Sequence, residues 1–397
     1  MSQKLVDRNP DLKRLRDDGY NIRIDGANLI VGSVPYVNAA CEIKRATLIF
    51  TLKLQQDRTT RPEPHWLSYV GEVPGEVPCN EHGIQLEIVI DVATHPSIAG
   101  MIPSCRLSTK PKVGYYDDYY HQVTTYVKIL EHQAQAIDPS VNARVYLPVR
   151  CDDDDDSPFL YYDTASSRAG ISDLSRKLAM PKVAIVGVGG TGSYVLDFVA
   201  KTLVREIHLF DDDEFKQHNA FRCPGAVSFE ELTPDLTKLE YYHQLYTRLR
   251  RGIVPHPYRI DPSNASDLVE MSFVFLCLDS GEYKDAIMRT LEAANVPFID
   301  VGMGIEHTGD ELTGLLRVTT STATMRSHIR ENQRVSFAKA QADNLYSRGI
   351  QVVELNALNA ALAVIRWKKY CHFYHDFKGE HHSIYAVSTN KIFNEDL

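Results

Sequence analysis

The chain has two tryptophans and seven cysteines in 397 residues. The cysteines are odd in number and widely scattered, which argues against a disulfide framework and fits a reducing compartment. No apolar run reaches the ~18 residues of a membrane span, and no secretory pattern opens the chain. We therefore expect a cytoplasmic protein with no membrane partner. No basic run is long enough to reverse the net charge of −9, so a general nucleic-acid binder is not expected. No internal repeat is present.

The rest of the composition, 44% hydrophobic and 24% charged, is that of an ordinary globular protein. At ~100–200 residues per domain the length suggests two domains. The boundary is marked by residues 151–157, CDDDDDS, where five like charges repel, stay solvated and resist folding. This divides the chain into an N-terminal domain (1–150), an acidic linker (151–157) and a C-terminal domain (158–397).

The N-terminal domain reads as α+β. Asn9 to Asp18 offers a cap, a first-turn proline and a short helix. Strands are predicted within 20–31, around a turn at Asp25-Gly26, and over 46–54, 65–70 and 84–92; a helix follows over 117–132. Tyr115, Tyr116, Tyr119, Tyr120 and Tyr126 form an aromatic cluster, read either as core and contact rim or as a docking surface for a protein partner.

The C-terminal domain is organised around residues 181–222. An apolar run, 183–186, is followed by Gly187, Gly189, Gly190 and Gly192, a helical pattern, a second strand over 206–210, and then Asp211, Asp212 and Asp213. Strand, glycine turn, helix, strand and acid is the order of a nucleotide-binding βαβ unit. The glycines admit phosphate close to the backbone, and the helix N-terminus aims free N–H groups at it. Further helices are predicted over 166–179, 233–250, 283–294 and 355–369, with strands over 272–278, 297–301 and 312–319. The alternation predicts an α/β fold with a doubly wound, mostly parallel Rossmann-like sheet. The glycine turn alone does not distinguish a dehydrogenase. Asn219, Arg222, Lys238 and the strand-end Asp279 do: a dinucleotide has little use for extra cations and a carboxylate, whereas a triphosphate with Mg²⁺ has.

These pieces, Gly187-Val-Gly189-Gly190-Thr-Gly192, Asp211-x-Asp213, Asn219-x-x-Arg222, Lys238 and Leu278-Asp279, resemble the ThiF superfamily, the adenylation domains of ubiquitin-activating-like enzymes. The resemblance covers about residues 166–305, and the last helix fits it. It implies ATP-dependent adenylation of the C-terminal glycine carboxylate of a ubiquitin-like protein, with release of pyrophosphate, as the first step of a bacterial ubiquitination-like pathway. By the same resemblance Asp211 holds ribose; Asp213, Asn219, Arg222 and Lys238 surround the phosphates; Asp279 binds Mg²⁺. Arg168 reaches the phosphates of a partner subunit in a homodimer, with Arg176 its rival. Asp212 is read as a solvent-facing acid. A conjugating-enzyme partner is implied as well.

The departures shape the expectation. Cys223 follows Arg222 where relatives commonly carry glutamine. There is no Cys-x-x-Cys pair, so the structural zinc of many relatives is not expected. No cysteine lies between Cys277 and Cys371, the span where relatives that form a thioester usually place theirs; Thr319, Thr320, Ser321, Thr322 and Ser327 stand there instead. The enzyme is therefore expected to stop at the adenylate or to pass the acyl group to a hydroxyl. In the N-terminal domain, His95-Pro96-Ser97 with Cys105 eight residues on is similar to a ubiquitin-conjugating core, although Ser97 replaces that family's asparagine and the preceding proline-rich segment is missing. Cys105 is read either as an acyl acceptor or as a small buried residue. The alternatives for the whole chain are a sulfur-carrier activator for cofactor biosynthesis and an inactive scaffold of the same fold.

Overall fold

Gly26, at φ +58°, occupies the left-handed region that favours glycine and turns strand β1 (Asn21–Asp25) back into β2 (Asn28–Val37). The computed structural model describes residues 3–92, 96–151, 157–278, 283–337 and 350–394. They fall into two units, Met1–Asp155 with Tyr161–Ala169, and Asp156–Leu160 with Gly170–Leu397.

In the first unit, helices α1 (Gln3–Arg8) and α2 (Pro10–Asp17) precede β1. Pro10 opens α2, where a missing N–H costs no helical bond. After β2 come β3 (Ile43–Thr51), a small hairpin of β4 (Leu54–Gln55) and β5 (Arg58–Thr59), then β6 (Trp66–Val70), β7 (Val89–Asp91) and β8 (Cys105–Ser108). The main sheet is antiparallel, in the order β1-β2-β3-β6-β8-β7. Helix α3 (Tyr119–Ile137) starts at Asp118, whose carboxylate accepts from the His121 N–H. It buries Val123, Tyr126, Val127 and Leu130 with Leu29, Val31, Phe50, Leu67 and Leu107 of the sheet. The short α4 (Thr164–Arg168) also belongs to this unit.

Several expectations change here. The alternation over 84–92 yields only β7, because Ile84, Ile90 and Val92 stay exposed and no second layer covers them. The tyrosine cluster is mostly core: Tyr116, Tyr119 and Tyr126 are buried and donate their hydroxyls to the carbonyls of Thr109, Thr51 and His65. Only Tyr115 of the five is exposed. Cys105 lies in β8 opposite Tyr69, fully buried, and burial pushes its thiol up to about 12. A buried thiol so far from ionising is no acyl acceptor, which settles Cys105 as a core residue. His95 lies outside the described residues. Cys41 is exposed, so brief treatment of the native protein with iodoacetamide labels Cys41 and spares Cys105 until denaturant is added. Equal labelling of the two in native protein, read by peptide mass, would contradict this packing.

The second unit opens with α5 (Ser172–Arg176). The single helix predicted over 166–179 is instead two, α4 and α5, because Gly170 at φ +71° interrupts it. Then follow β9 (Lys182–Val186), α6 (Gly190–Ala200), β10 (Glu206–Phe210), α7 (Gln217–Ala220), α8 (Phe229–Leu232), α9 (Lys238–Tyr246), β11 (Ile253–His256), β12 (Phe273–Leu276), α10 (Lys284–Ala293), β13 (Phe298–Thr308), β14 (Glu311–Ser321), α11 (His328–Glu331), α12 (Val353–Tyr370), β15 (His382–Ala386) and β16 (Lys391–Asn394). The sheet order is β11-β10-β9-β12-β13-β14-β15-β16, parallel from β11 to β13 and antiparallel beyond. The order of strand addition reverses between β9 and β12, the switch point where open α/β sheets bind ligands at the carboxyl ends of their strands.

Both faces of the parallel part are covered, which is why β12 is apolar throughout. On one face Val195, Leu196, Val199 and Trp367 pack over Val183, Ile185, Phe273 and Phe275. On the other Ile287, Met288 and Leu291 of α10 cover Ala184, Val186, Val274 and Leu276. Arg250 is fully buried and donates to the carbonyls of Ala200, Thr202, Val204, Arg205 and Arg251, satisfying the chain end that leaves α6.

The hydroxyls expected as acyl acceptors are interior. Thr319, Thr320, Ser321 and Thr322 are buried in or just after β14. The Thr319 hydroxyl accepts from Arg317 at 2.8 Å and lies 3.0 Å from His382 Nδ1. Of the group, only Ser327 is exposed, and its hydroxyl donates to Glu331. Nearby His328 is buried with Nδ1 accepting from Arg334 at 2.9 Å and Nε2 2.9 Å from the Thr320 carbonyl, an arrangement for a neutral ring. Burial lowers its pKa to about 4, and the Arg334 charge adds to the effect. The unfolded ring binds a proton near pH 6.5, so the stabilisation is complete above that pH and is lost as pH falls towards 4. From pH 7.5 to pH 5 the contribution is on the order of 2 kcal/mol. Urea midpoints at the two pH values should differ accordingly, and His328→Gln should flatten the difference. An unchanged pH slope in that variant would contradict the assignment.

Candidate functional site

Strand β9 ends at Val186, and Gly187 turns the chain at φ +87°. A Cβ there would stand 2.6 Å from the Cys277 carbonyl, and one at Gly192 would stand 1.9 Å from the Gly187 carbonyl. One at Gly190 would meet the side chains of Gln351 and Asn356 at 2.5 Å. These three glycines are required by the packing of the turn itself. Gly189 differs: among the described residues nothing lies within 4 Å of where its Cβ would be, at the N-cap of α6.

The turn is tied to the end of β10 by Asp211. Its Oδ2 accepts from the Val188 N–H at 2.8 Å, and its Oδ1 accepts from the Asp213 N–H at 3.0 Å and lies 3.3 Å from Lys238 Nζ. Lys238 Nζ is 2.5 Å from Asp213 Oδ2. That contact is the largest cause holding the Asp213 carboxyl below the usual aspartate range. Lys238 is the first residue of α9, and its N–H donates to the Asp213 carbonyl at 3.0 Å. A capping box sets this start: the Thr237 hydroxyl accepts from the Glu240 N–H, and the Glu240 carboxylate accepts from the Thr237 N–H. The helix predicted over 233–250 therefore begins at the lysine, which is buried with its ammonium aimed at the acids.

Asn219 is buried in α7, and its Oδ1 accepts from the Lys216 N–H. Arg222 follows the helix; its Nη1 donates to Gln351 Oε1 at 3.0 Å, while its buried Nε has no partner among the described residues. Beside them the His218 pKa is lowered, first by burial and then by the charges of Arg222, Lys238 and Lys216. The His218 imidazole is thus within electrostatic reach of all three cations, of which Lys238 is also paired with Asp211 and Asp213. Asp212 is exposed and pairs with Arg259 at 3.3 Å, as expected of the outward acid.

Asp211, Asp212 and Asp213 bring carboxylate oxygens within 4.8 Å of one another. With the Lys238 ammonium on two of them, however, the group does not fit an open divalent-cation site. Asp279 lies outside the described residues, three positions past the end of β12. Arg168 ends α4 in the first unit, with its guanidinium 5.3 Å from the Tyr146 ring centre. Arg176 is exposed and paired with Asp173. Cys223 is buried, with burial raising its thiol pKa, and Cys371 is pushed up to about 12.

The sequence reading missed Gln351, Asn356 and His218. Asn356 is fully buried at the start of α12, accepts from the Thr191 hydroxyl at 3.1 Å and leaves its Nδ2 without a partner among the described residues. His218 lay inside the recognised stretch and could have been found there. Gln351 and Asn356, remote in sequence, carried no motif. Among the described residues, the assembled site has a glycine turn open above Gly189, a helix N-terminus, a buried lysine held by two carboxylates, and two buried donor groups, Arg222 Nε and Asn356 Nδ2, with no acceptor. It is suited to an anionic ligand carrying phosphate.

Residues 10–164 match a domain of unknown function (DUF6791), and residues 164–388 match the ThiF family. The adenylyltransferase and sulfurtransferase UBA4 of Saccharomyces cerevisiae is 31% identical over 107 residues, 26% of this chain and 24% of that protein. The match thus spans about a quarter of the curated relative's length. Among solved structures, PaaA is similar over 56% of this chain and 75% of its own, at 17% identity and a TM-score of 0.44. MccB of E. coli, solved with ATP, is similar over 56% of this chain and 65% of its own, at 17% identity and a TM-score of 0.43. With the family match covering more than half of its length, this chain belongs to the ThiF family.

Proposed function

We propose that the chain is an adenylyltransferase that activates the C-terminal carboxylate of a ubiquitin-like protein with ATP. The observation that carries the reading is the Asp211–Lys238–Asp213 cluster set beside Arg222 at a glycine turn whose open position is Gly189. Family membership and the name adenylyltransferase borne by UBA4 support it.

In this reaction a carboxylate oxygen attacks the α-phosphorus, the bond from that phosphorus to the bridging oxygen breaks, and pyrophosphate leaves with the electron pair. No proton needs to move and no protein nucleophile is required. Catalysis is then positioning and charge neutralisation. The turn amides and the α6 N-terminus hold phosphate, and Lys238 and Arg222 offset charge developing on the phosphoryl oxygens. Asp211 Oδ2 keeps a lone pair beyond the Val188 N–H for a ribose hydroxyl. Asn219 and Asp213 fix the loop that carries these groups. Asp279 is assigned to Mg²⁺, and Arg168 to the phosphates of a second subunit in a homodimer. The first unit is assigned to recruiting the modifier or its conjugating partner.

The acyl adenylate is the end point on this enzyme. Cys79, Cys105, Cys223 and Cys371 are buried with raised thiol pKa values, and Thr319 to Thr322 are interior; Cys41, exposed in the first unit, and the half-buried Cys277 are the thiols on which the following test bears. With purified modifier and ATP, we therefore expect no enzyme–modifier adduct that dithiothreitol releases. Such an adduct, abolished by one cysteine substitution, would contradict the end point.

The direct test of the activity is ATP–pyrophosphate exchange with candidate ubiquitin-fold proteins ending in glycine. Exchange should depend on the modifier and fall by at least about a hundredfold in Lys238→Ala, the scale of losing a charged group that contacts a transition state, and likewise in Asp279→Ala. Exchange that survives both substitutions would overturn the residue assignments. No exchange with any candidate, in folded protein that binds ATP, would favour a scaffold.

A further inference from the structure

The first unit carries a cavity of about 470 Å³, a size that suits a small molecule. It lies between the chain leading into β6 and the chain running from β8 to α3. Lys53, Arg61 and Lys110 line it against a single carboxylate, Glu63, with His65 and Tyr115 completing the wall that matters. Lys53 pairs with Glu63 at 2.9 Å, so one cation is neutralised. Arg61 lies 4.0 Å over the Tyr115 ring, which fixes the guanidinium plane, and makes no ion pair among the described residues, although its charge also reaches Glu63. Lys110 makes no hydrogen bond or ion pair among the described residues. Its charge reaches His65, whose pKa is lowered by burial first and by Lys110 second. The cavity is thus a positive concavity on a chain of net charge −9, and a concavity of one sign concentrates ligands of the other.

We propose that this cavity is a second anion site, separate in sequence and in fold unit from the nucleotide site, and that it takes a small, multiply charged phosphate compound. The volume is too small for a folded partner and ample for a di- or triphosphate. A guanidinium fixed on an aromatic face and a mobile ammonium match the several acceptor oxygens of phosphate better than one carboxylate would. Tyr115, left exposed when the other tyrosines of its cluster were buried, gives the ligand an apolar wall.

The test uses pyrophosphate as the probe and the full chain carrying Lys238→Ala, which removes the main cation of the nucleotide site. Calorimetric titration of that variant should still show binding, weakening with added salt. Adding Lys110→Glu should reduce the affinity by about tenfold or more, the scale of one charge-assisted hydrogen bond, and Arg61→Gln should reduce it similarly. Lys110 and Arg61 are both exposed at the rim of the cavity, so melting temperatures equal to that of the Lys238→Ala protein check that the further variants fold. Trp66, next to His65, offers an independent fluorescence signal. Loss of all pyrophosphate binding in Lys238→Ala, or binding there that neither Lys110→Glu nor Arg61→Gln weakens, would overturn the second site. Neither outcome bears on whether the C-terminal unit adenylates, because that is read separately by exchange in the unaltered protein.

Discussion

The Asp211 carboxylate joins three parts of the chain that are otherwise separate. Through Oδ2 it holds the amide after the first glycine, and through Oδ1 it holds the Asp213 amide and faces the Lys238 ammonium. The glycine turn, the end of β10 and the start of α9 therefore share one anchor. Its side chain is almost wholly shielded from solvent, where such contacts are stronger than at the surface and costly to leave half made. The rest of the site inherits its geometry from this joint. Lys238 can stand at the first position of a helix only because Thr237 and Glu240 begin that helix there, and its ammonium is then already directed at the acids.

The sheet supplies the second constraint. A doubly wound sheet needs apolar strands under both layers of helices, so its polar side chains collect at strand ends and in the following turns. Gly187, Asp211 and Cys277 all occupy such ends. The antiparallel extension through β14, β15 and β16 changes the character of the far side. There the interior carries hydroxyls, imidazoles and the Asp300 carboxylate, which is fully buried between the Lys284 ammonium at 2.8 Å and Arg317 at 2.6 Å. Thr319, Thr322 and Asp300 are paired within this interior, whereas the Thr320 and Ser321 hydroxyls have no hydrogen-bond partner among the described residues; the threonine-rich strand that looked available for chemistry is part of that polar interior.

What was legible in the sequence follows from range. The βαβ unit was readable because its apolar runs, glycines and acids are contiguous, and the capping box at Thr237 was there to be read although the longer apolar pattern hid it. Helix 166–179 failed at Gly170, where a left-handed φ outweighed the surrounding helical propensity. Strands β15 and β16 were missed because neither shows a clean alternation: β15 is buried only at its ends, His382 and Ala386, and β16 is exposed throughout. Gln351 and Asn356 reach Arg222 and the glycine turn from more than a hundred residues away, a pairing that no local pattern encodes. Cys105 sat in a suggestive motif, but only the strand around it reveals that its thiol faces the core.

The central claim is that the glycine turn exists to receive phosphate, and Gly189 isolates it. Gly187, Gly190 and Gly192 are demanded by protein atoms, so replacing them confounds folding with binding. Among the described residues nothing opposes a side chain at Gly189. The measurement is therefore ATP affinity of Gly189→Ala by calorimetry, alongside its melting temperature. The account predicts an unchanged melting temperature and ATP binding weakened by about tenfold or more, as expected when a methyl group displaces a phosphate from its backbone donors. Wild-type ATP affinity in a stably folded Gly189→Ala protein would contradict it.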